Sequence, residues 1–340
     1  MVSVTEMTSF IFIVPMLMTF LVGYLLIKYP ISISIPTERG MHKNSIISSG
    51  GIAILAGIIS YILLDQLGRT YWANNDLIYI LAFMLVTIIG YLDDTRSLSK
   101  KIRFGAQILI SFLIVAETTR LEPFLALVAT VLMVYTINIY NFMDGIDQLA
   151  ISQVIFFTVS SAFILHIEVS SFYFTEFMFS LIFVSFFFIN YKKTKIFLGN
   201  SGSYLLGLYV AVTIISIHEE TPYRYNERAL ISLLILMTIF YVEATYAIIA
   251  RFLKKIFSDA TILESIKYVT HAHRTHAYQK LAIKYNSHSK VVLLMMAYNI
   301  LWCLPLAYIA YNYGYFLLPL MMSYVPYIYY CYINKAGSEV

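Results

Sequence analysis

Apolar runs close to 20 residues long recur along almost the whole chain, and they constrain its fold more than any other feature. Crossing the hydrocarbon core of a bilayer takes about 20 apolar residues in an α-helix. Only helices and closed barrels satisfy every backbone polar group in that setting. Eleven candidate spans can be drawn, near residues 9–29, 46–66, 77–92, 102–118, 123–140, 149–166, 172–190, 203–217, 229–250, 291–311 and 314–333. The composition agrees: 60% of the 340 residues are hydrophobic and 12% are charged, against about 25% charged in a soluble domain. The expectation is an all-α polytopic integral membrane protein, with residues 1–340 forming one transmembrane domain. Most joining loops are too short to hold a domain of their own. The exception is 251–290, a loop with basic residues, clustered histidines and a polar helical stretch.

Charge orients these spans. The odd-numbered loops and the C-terminal tail hold every Lys and Arg except Arg69, Arg120, Arg224 and Arg228. Positive residues stay cytoplasmic, so the N-terminus is expected in the periplasm and the C-terminus in the cytoplasm. Glu6 and the absence of Lys or Arg before the first apolar run argue against a cleaved signal peptide. Cys303 and Cys331 lie in apolar segments without metal-ligand spacing and read as small packing residues.

Five polar clusters interrupt the apolar runs, all in loops assigned to the cytoplasmic side. They are Pro36 to Gly51, Tyr91 to Asp94, Asn138 to Asp147, Phe197 to Ser203 and His271 to His276. Carboxylates cost about 2.5–3.5 kcal/mol each at the centre of a membrane helix, so a chain that keeps several uses them. Asp93, Asp94, Asp144 and Asp147 offer hard oxygen ligands, to which the Asn141 and Asn200 amides add neutral ones. Mg²⁺ prefers such oxygens and shares its shell with substrate phosphates. Gly199, Ser201, Gly202 and Ser203 precede a helix whose N-terminus would approach a phosphate. Arg103, Arg274 and the histidines would neutralise more of its charge. This inventory suits phosphoryl transfer, which needs positioning and charge neutralisation above all.

At four stretches the chain resembles the polyprenyl-phosphate N-acetylhexosamine-1-phosphate transferases. They are Y-L-D-D-T-R-S-L-S-K-K-I-R (91–103), N-I-Y-N-F-M-D-G-I-D-Q-L-A (138–150), F-L-G-N-S-G-S-Y-L-L-G (197–207) and A-H-R-T-H-A-Y-Q (272–279). The last, with Pro36-Thr-Glu-Arg39, His42 and Gly50-Gly51, is most similar to the O-antigen-initiating branch. The resemblance implies transfer of a sugar 1-phosphate from a UDP-2-acetamido-sugar to undecaprenyl phosphate, with Mg²⁺ (or Mn²⁺) and release of UMP. It implies a bacterial inner-membrane enzyme with its active site facing the cytoplasm, starting O-antigen or related lipopolysaccharide synthesis. Homodimerisation is implied by analogy alone, and no nucleic-acid partner is expected. By the same resemblance Asp93 and Asp94 act near the lipid phosphate as the catalytic pair. Asn141 and Asn200 hold the metal, and Asp144 and Asp147 border the uridine pocket. Arg103, Ser201, Gly202, His273, Arg274 and His276 contact phosphate or sugar.

Three positions depart from the family pattern. Asn200 stands where Asp is usual, which removes one negative charge from the metal site. Gln148 replaces a common Gly, and Glu243 stands where this branch often has Asp. The Asn200 departure motivates a second reading, a non-catalytic paralogue that binds lipid phosphate or nucleotide sugar. An ion-coupled transporter is a third reading. Against it, the carboxylates gather at one edge instead of tracing a path across, and no pair of broken helices near the midplane is evident. Asn138 is expected to be interhelical hydrogen-bond glue, the H-x-H-x-x-H spacing lacks a zinc framework, and His166 and His218 read as structural.

Overall fold

The computed structural model describes residues 4–34, 46–67, 74–165, 170–190, 196–220, 225–258, 261–269 and 274–338. Pro36 to Arg39, His42, His166, His271 and His273 lie outside these. The described residues are helical almost throughout, and each of the eleven apolar runs became a helix or a helix pair. Among the described residues five helices are long and apolar enough to cross a membrane: Ile11–Lys28, Leu77–Arg96, Pro123–Met143, Gly199–Ile217 and His288–Tyr313. A sixth span arises if the bent pair Asn226–Leu236 and Thr238–Ile256 counts as one. The chain is a multi-pass helical membrane protein.

The chain divides into two compact units. The first comprises α1 (Val4–Lys28), α2 (Gly50–Leu67), α3 (Asn74–Arg96), α4 (Lys100–Thr118), α5 (Pro123–Met143), α6 (Leu149–Leu165), α7 (Ser170–Asn190) and α8 (Gly199–Glu220). Local signals set several of these boundaries. Ser99 caps α4 by accepting from the Ile102 N–H at 3.4 Å, and Pro123 opens α5, where its missing N–H costs nothing. Helix α8 packs against α2, α3, α5 and α6 and is the most buried span of this unit. Tyr204, Leu205, Leu206, Leu208 and Val210 on α8 are enclosed. By contrast, Leu81 and Leu85 on α3, Leu109 and Phe112 on α4, and Val131 and Leu132 on α5 are exposed. So large an apolar exterior is what a lipid-facing surface requires.

A small sheet ties two loops beneath α2 and α8. Strands β1 (Ile33–Ser34) and β2 (Ile46–Ile47) pair antiparallel, with Ile33 opposite Ile47. Ile47 also bridges to Ile196 in parallel, and the Gly50 N–H donates to the Phe197 carbonyl at 2.9 Å. This pairing fixes the residues just before α8. Gly199 then starts the helix with φ +69, where an added Cβ would meet the Ser48 carbonyl oxygen at 2.1 Å.

The second unit holds α9 (Asn226–Leu236), α10 (Thr238–Ile256), α11 (Ile262–Val269), α12 (Ala277–Tyr285), α13 (His288–Tyr298), α14 (Leu304–Tyr313) and α15 (Leu317–Ile333). A five-residue π-turn, Asn299–Cys303, joins α13 to α14. The span expected at 229–250 is broken: α9 and α10 meet at Met237 with a bend of 67°. The expectation concerned two broken helices near the midplane, and the described residues hold one bent pair. Within the segment 251–290, α10 continues to Ile256, and α11 and α12 follow. Cys303 and Cys331 are buried and free, as expected of packing residues.

Candidate functional site

In the first unit, residues from three of the polar clusters meet where the C-terminal ends of α3 and α5 approach the N-terminal end of α8. Asp93, in the last turn of α3, is buried, and its Oδ2 accepts three hydrogen bonds. They come from Arg103 Nη1 at 2.7 Å, Asn200 Nδ2 at 2.9 Å and Tyr204 Oη at 3.1 Å. The Arg103 bond is an ion pair, with the guanidinium 26% exposed and the carboxylate 5%. Asn200 Oδ1 accepts in turn from Asn141 Nδ2 at 2.6 Å, and Asn141 also donates to Ser203 Oγ at 3.1 Å. One continuous chain of polar bonds thus links α4, α3, α8 and α5.

Asp94 points to the backbone of α8. Its oxygens accept from the N–H groups of Asn200 at 3.2 Å and Ser201 at 3.4 Å. A carboxylate at a helix N-terminus is stabilised by the unpaired N–H groups and the positive end of the helix dipole. Asp94 therefore occupies the donors that were expected to cradle a phosphate. The Gly202 N–H donates to the Leu198 carbonyl, and Ser201 is enclosed. An added Cβ on Gly51 would stand 2.3 Å from the Gly202 nitrogen, so Ser201 and Gly202 serve the close approach of α2 to α8. The contacts seen at these two residues are packing contacts within and between α2 and α8.

Asp144 ends α5 and is partly buried. Withdrawal from water raises its pKa well above the ordinary value, and the neighbouring Asp147 and Asp94 carboxylates raise it further. Gln148 adopts φ +68, the left-handed region that a glycine would enter without strain. That conformation gives a physical reason for the Gly commonly found at this place in the family pattern.

The expected metal pair does not make a cation site as it stands. Asn141 and Asn200 are in contact, but they satisfy one another as amides, and Asn200 is turned so that its nitrogen faces Asp93. Of the nearby carboxylates Asp93 is engaged by three donors and Asp94 by the α8 terminus, while Asp144 is close enough to Asp94 to feel its charge. Among the described residues no three His, Cys, Asp or Glu side chains are grouped to hold a metal. Mg²⁺ sites draw on one or two carboxylates as well as substrate phosphates, and this pair supplies only neutral oxygens.

The histidine segment belongs to the second unit. His273 lies outside the described residues, Arg274 is partly buried, and His276 is buried at the N-cap of α12. The His276 N–H donates to Gln279 Oε1 at 3.3 Å. Glu243 on α10 accepts from the Tyr278 N–H at 3.2 Å and from Tyr327 Oη at 3.0 Å. His276, expected to contact substrate, is thus part of a buried helix start that the Glu243 carboxylate also holds.

Sequence reasoning missed Tyr204, although it follows Asn200 by four residues and so shares its helical face. It also assigned nothing to Glu176 on α7. That buried carboxylate accepts from Tyr209 and, at 3.4 Å, from Ser161 and Thr213. Asn138 behaves as expected, donating to Gln107 Oε1 at 2.7 Å.

Comparison with known proteins adds to this geometry. Residues 77–218, which span α3 to α8, match the family described as glycosyl transferase family 4. A probable undecaprenyl-phosphate N-acetylglucosaminyl 1-phosphate transferase of Bacillus subtilis is 28% identical over 252 residues, covering 65% of this chain and 64% of the relative. A phospho-N-acetylmuramoyl-pentapeptide-transferase of Lactobacillus johnsonii is 31% identical over 208 residues, covering 52% of this chain and 63% of that protein. An undecaprenyl-phosphate alpha-N-acetylglucosaminyl 1-phosphate transferase of Thermotoga maritima is 25% identical, covering 54% of this chain and 56% of its own length. The chain spans just under two thirds of the first two relatives. Over residues 77–218 the chain is similar to glycosyl transferase family 4, and its relatives carry the names of polyprenyl-phosphate hexosamine-1-phosphate transferases.

Proposed function

We propose that the protein transfers a 2-acetamido-sugar 1-phosphate from a UDP-sugar to undecaprenyl phosphate, forming an undecaprenyl-diphospho-sugar and UMP. The observation that carries this reading is the convergence of Asp93, Arg103, Asn141 and Asn200 in one polar chain at the ends of four helices. The relatives bear names of this reaction type, which supports the same class for this chain. An oxygen of the lipid phosphate attacks the phosphorus next to the sugar, and the bond from that phosphorus to the UMP oxygen breaks. The acceptor phosphate is ionised near neutral pH, so no side chain has to remove a proton from it.

The bonds made by Asp93 and Asp94 favour holding roles for both. Asp93 anchors Arg103, Tyr204 and Asn200, and Asp94 fixes the start of α8. Asp144 and Asp147 are proposed to border the uridine pocket, and Arg274 to meet phosphate or sugar. The pair assigned to Mg²⁺ by the resemblance, Asn141 and Asn200, would offer it two neutral amides, and no step is derived through the metal. The apolar runs support eleven spans, the distribution of Lys and Arg supports a periplasmic N-terminus and a cytoplasmic site, and the resemblance supports an inner-membrane location. A role in starting O-antigen or a related surface glycan rests on the resemblance of the histidine segment and of Pro36 to Arg39 with His42, Gly50 and Gly51.

The mutual satisfaction of Asn141 and Asn200 favours one alternative, a paralogue that binds these ligands without turnover. Purified protein in lipid, offered a panel of UDP-N-acetylhexosamines, distinguishes the two. UMP release that depends on undecaprenyl phosphate supports the enzyme. Saturable donor binding without UMP supports the paralogue and overturns the transferase.

A further inference from the structure

Helix α11 is amphipathic in the wrong sense for a helix at a protein–water boundary. Its inward residues include Ser265, which is buried, and Tyr268. The Tyr268 carbonyl accepts from Arg251 Nη2 at 2.7 Å, and its ring lies under that guanidinium at 4.5 Å. Ile262 is 64% exposed, Leu263 62% and Ile266 49%, and the two charged residues exposed beside them are Lys267 and Glu264, whose carboxylate accepts from the Thr261 N–H at 2.8 Å and the Thr261 hydroxyl at 2.9 Å. On α10, Ile249 and Leu253 are exposed at four-residue spacing, and Phe257 just beyond the helix continues that row at 82% exposure. Lysines flank this surface, with Lys254 and Lys255 in the last turn of α10 and Lys267 in the last turn of α11.

We propose that α11 lies in the interface of an anionic bilayer, with Ile262, Leu263 and Ile266 in the acyl boundary and the lysines at the headgroups. Three observations select lipid as the occupant. Only five residues separate α11 from α10, the second half of an apolar pair that passes as a membrane span. The exposed α10 row continues the apolar surface up to that connection. Amphipathic helices with Lys beside an apolar face bind at headgroup level, and they favour anionic lipid. The eight residues of α11 reach about 12 Å, too short to cross but long enough to lie flat. Through the Arg251–Tyr268 bond this helix fixes, at the membrane surface, the chain that leads into the histidine segment. The inference rests on the membrane character of the chain and not on the transferase reading.

The full chain in nanodiscs, one copy per disc, tests it. Leu263→Cys and, separately, Ile266→Cys are labelled with an environment-sensitive NBD dye, with the buried Cys303 and Cys331 left in place and an unlabelled-site control. Lys284→Cys on α12 reports the water phase. The labels at 263 and 266 are expected to lose most of their emission to brominated lipid, to resist aqueous iodide, and to respond more in anionic than in zwitterionic discs. The label at 284 is expected to show the opposite. Quenching of 263 and 266 by iodide overturns the proposal by placing the face in water. Resistance to both quenchers overturns it by showing that protein covers the face. In the combined variant Lys254→Gln, Lys255→Gln, Lys267→Gln the anionic preference is expected to vanish, and its persistence contradicts the role of the lysines.

Discussion

Asn200 donates its side-chain amide to Asp93 Oδ2 at 2.9 Å, so the two residues form a neutral–anionic pair in place of two facing carboxylates. The same Asp93 oxygen already takes the Arg103 guanidinium and the Tyr204 hydroxyl. The charge balance of the site therefore depends on an amide at position 200.

Asn200→Asp places a second carboxylate against Asp93. Without divalent cations the variant is expected to lose about 1–3 kcal/mol, the cost of a buried polar partner lost. Added Mg²⁺ or Mn²⁺ is expected to raise its melting temperature saturably and to leave the native protein nearly unmoved. Thermal melts across a metal titration check this. Equal metal stabilisation of both proteins contradicts the amide account of the site.

Arg103→Met leaves the buried Asp93 carboxylate with neutral donors alone. Breaking a pair of this kind by removing one partner costs about 3–5 kcal/mol when both are buried. Because Arg103 is 26% exposed, the loss should sit at the low end, about 3 kcal/mol. Adding Asp93→Asn should recover much of it in a double-mutant cycle measured by denaturant melts.

Asp144→Asn is expected to stabilise the protein and reduce its activity. Burial, with Asp147 and Asp94, raises the Asp144 pKa well above 3.8, so the folded state holds this proton more tightly than the unfolded chain does. Stability from this group is therefore present at acid pH and lost as pH rises past about 4. The melting temperatures of native and variant should coincide below that pH, and the variant should melt higher at neutral pH. A native protein that melts higher at pH 7 contradicts the sign.

Gln148→Gly relieves a side chain held at φ +68. A left-handed conformation costs a non-glycine residue about 1–2 kcal/mol, partly offset by the greater freedom that glycine gives the unfolded chain. A gain of about 0.5–1 kcal/mol is expected. No gain, or a loss, would mean that the Gln148 side chain supports the loop between α5 and α6.

The helices were legible because an apolar run of span length has few other structures open to it, and each run from α1 to α15 produced helix. Asn138 was legible because an amide inside such a run needs a partner on a neighbouring helix. The break at Met237 was not, since Ile235-Leu-Met-Thr-Ile-Phe240 contains neither Pro nor Gly. The role of Asp94 as the cap of α8 was not legible, because its partners lie more than a hundred residues away. Ser201 and Gly202 carry a small-residue signature that phosphate cradles and close helix packing share, and only the approach of Gly51 separates the two. The outward apolar face of α11 was hidden because sequence periodicity shows that a helix has two faces without saying which one turns inward.

The central claim is transfer of the sugar-bearing phosphate to the lipid, and isotopic labelling tests it most directly. UDP-N-acetylglucosamine carrying ³²P in the phosphate next to the sugar should yield labelled organic-phase lipid when undecaprenyl phosphate and the protein are both present. Donor labelled in the phosphate next to uridine should leave all its label in aqueous UMP. Lipid that stays unlabelled with the first donor across the whole panel of sugars, or becomes labelled with the second, contradicts the account.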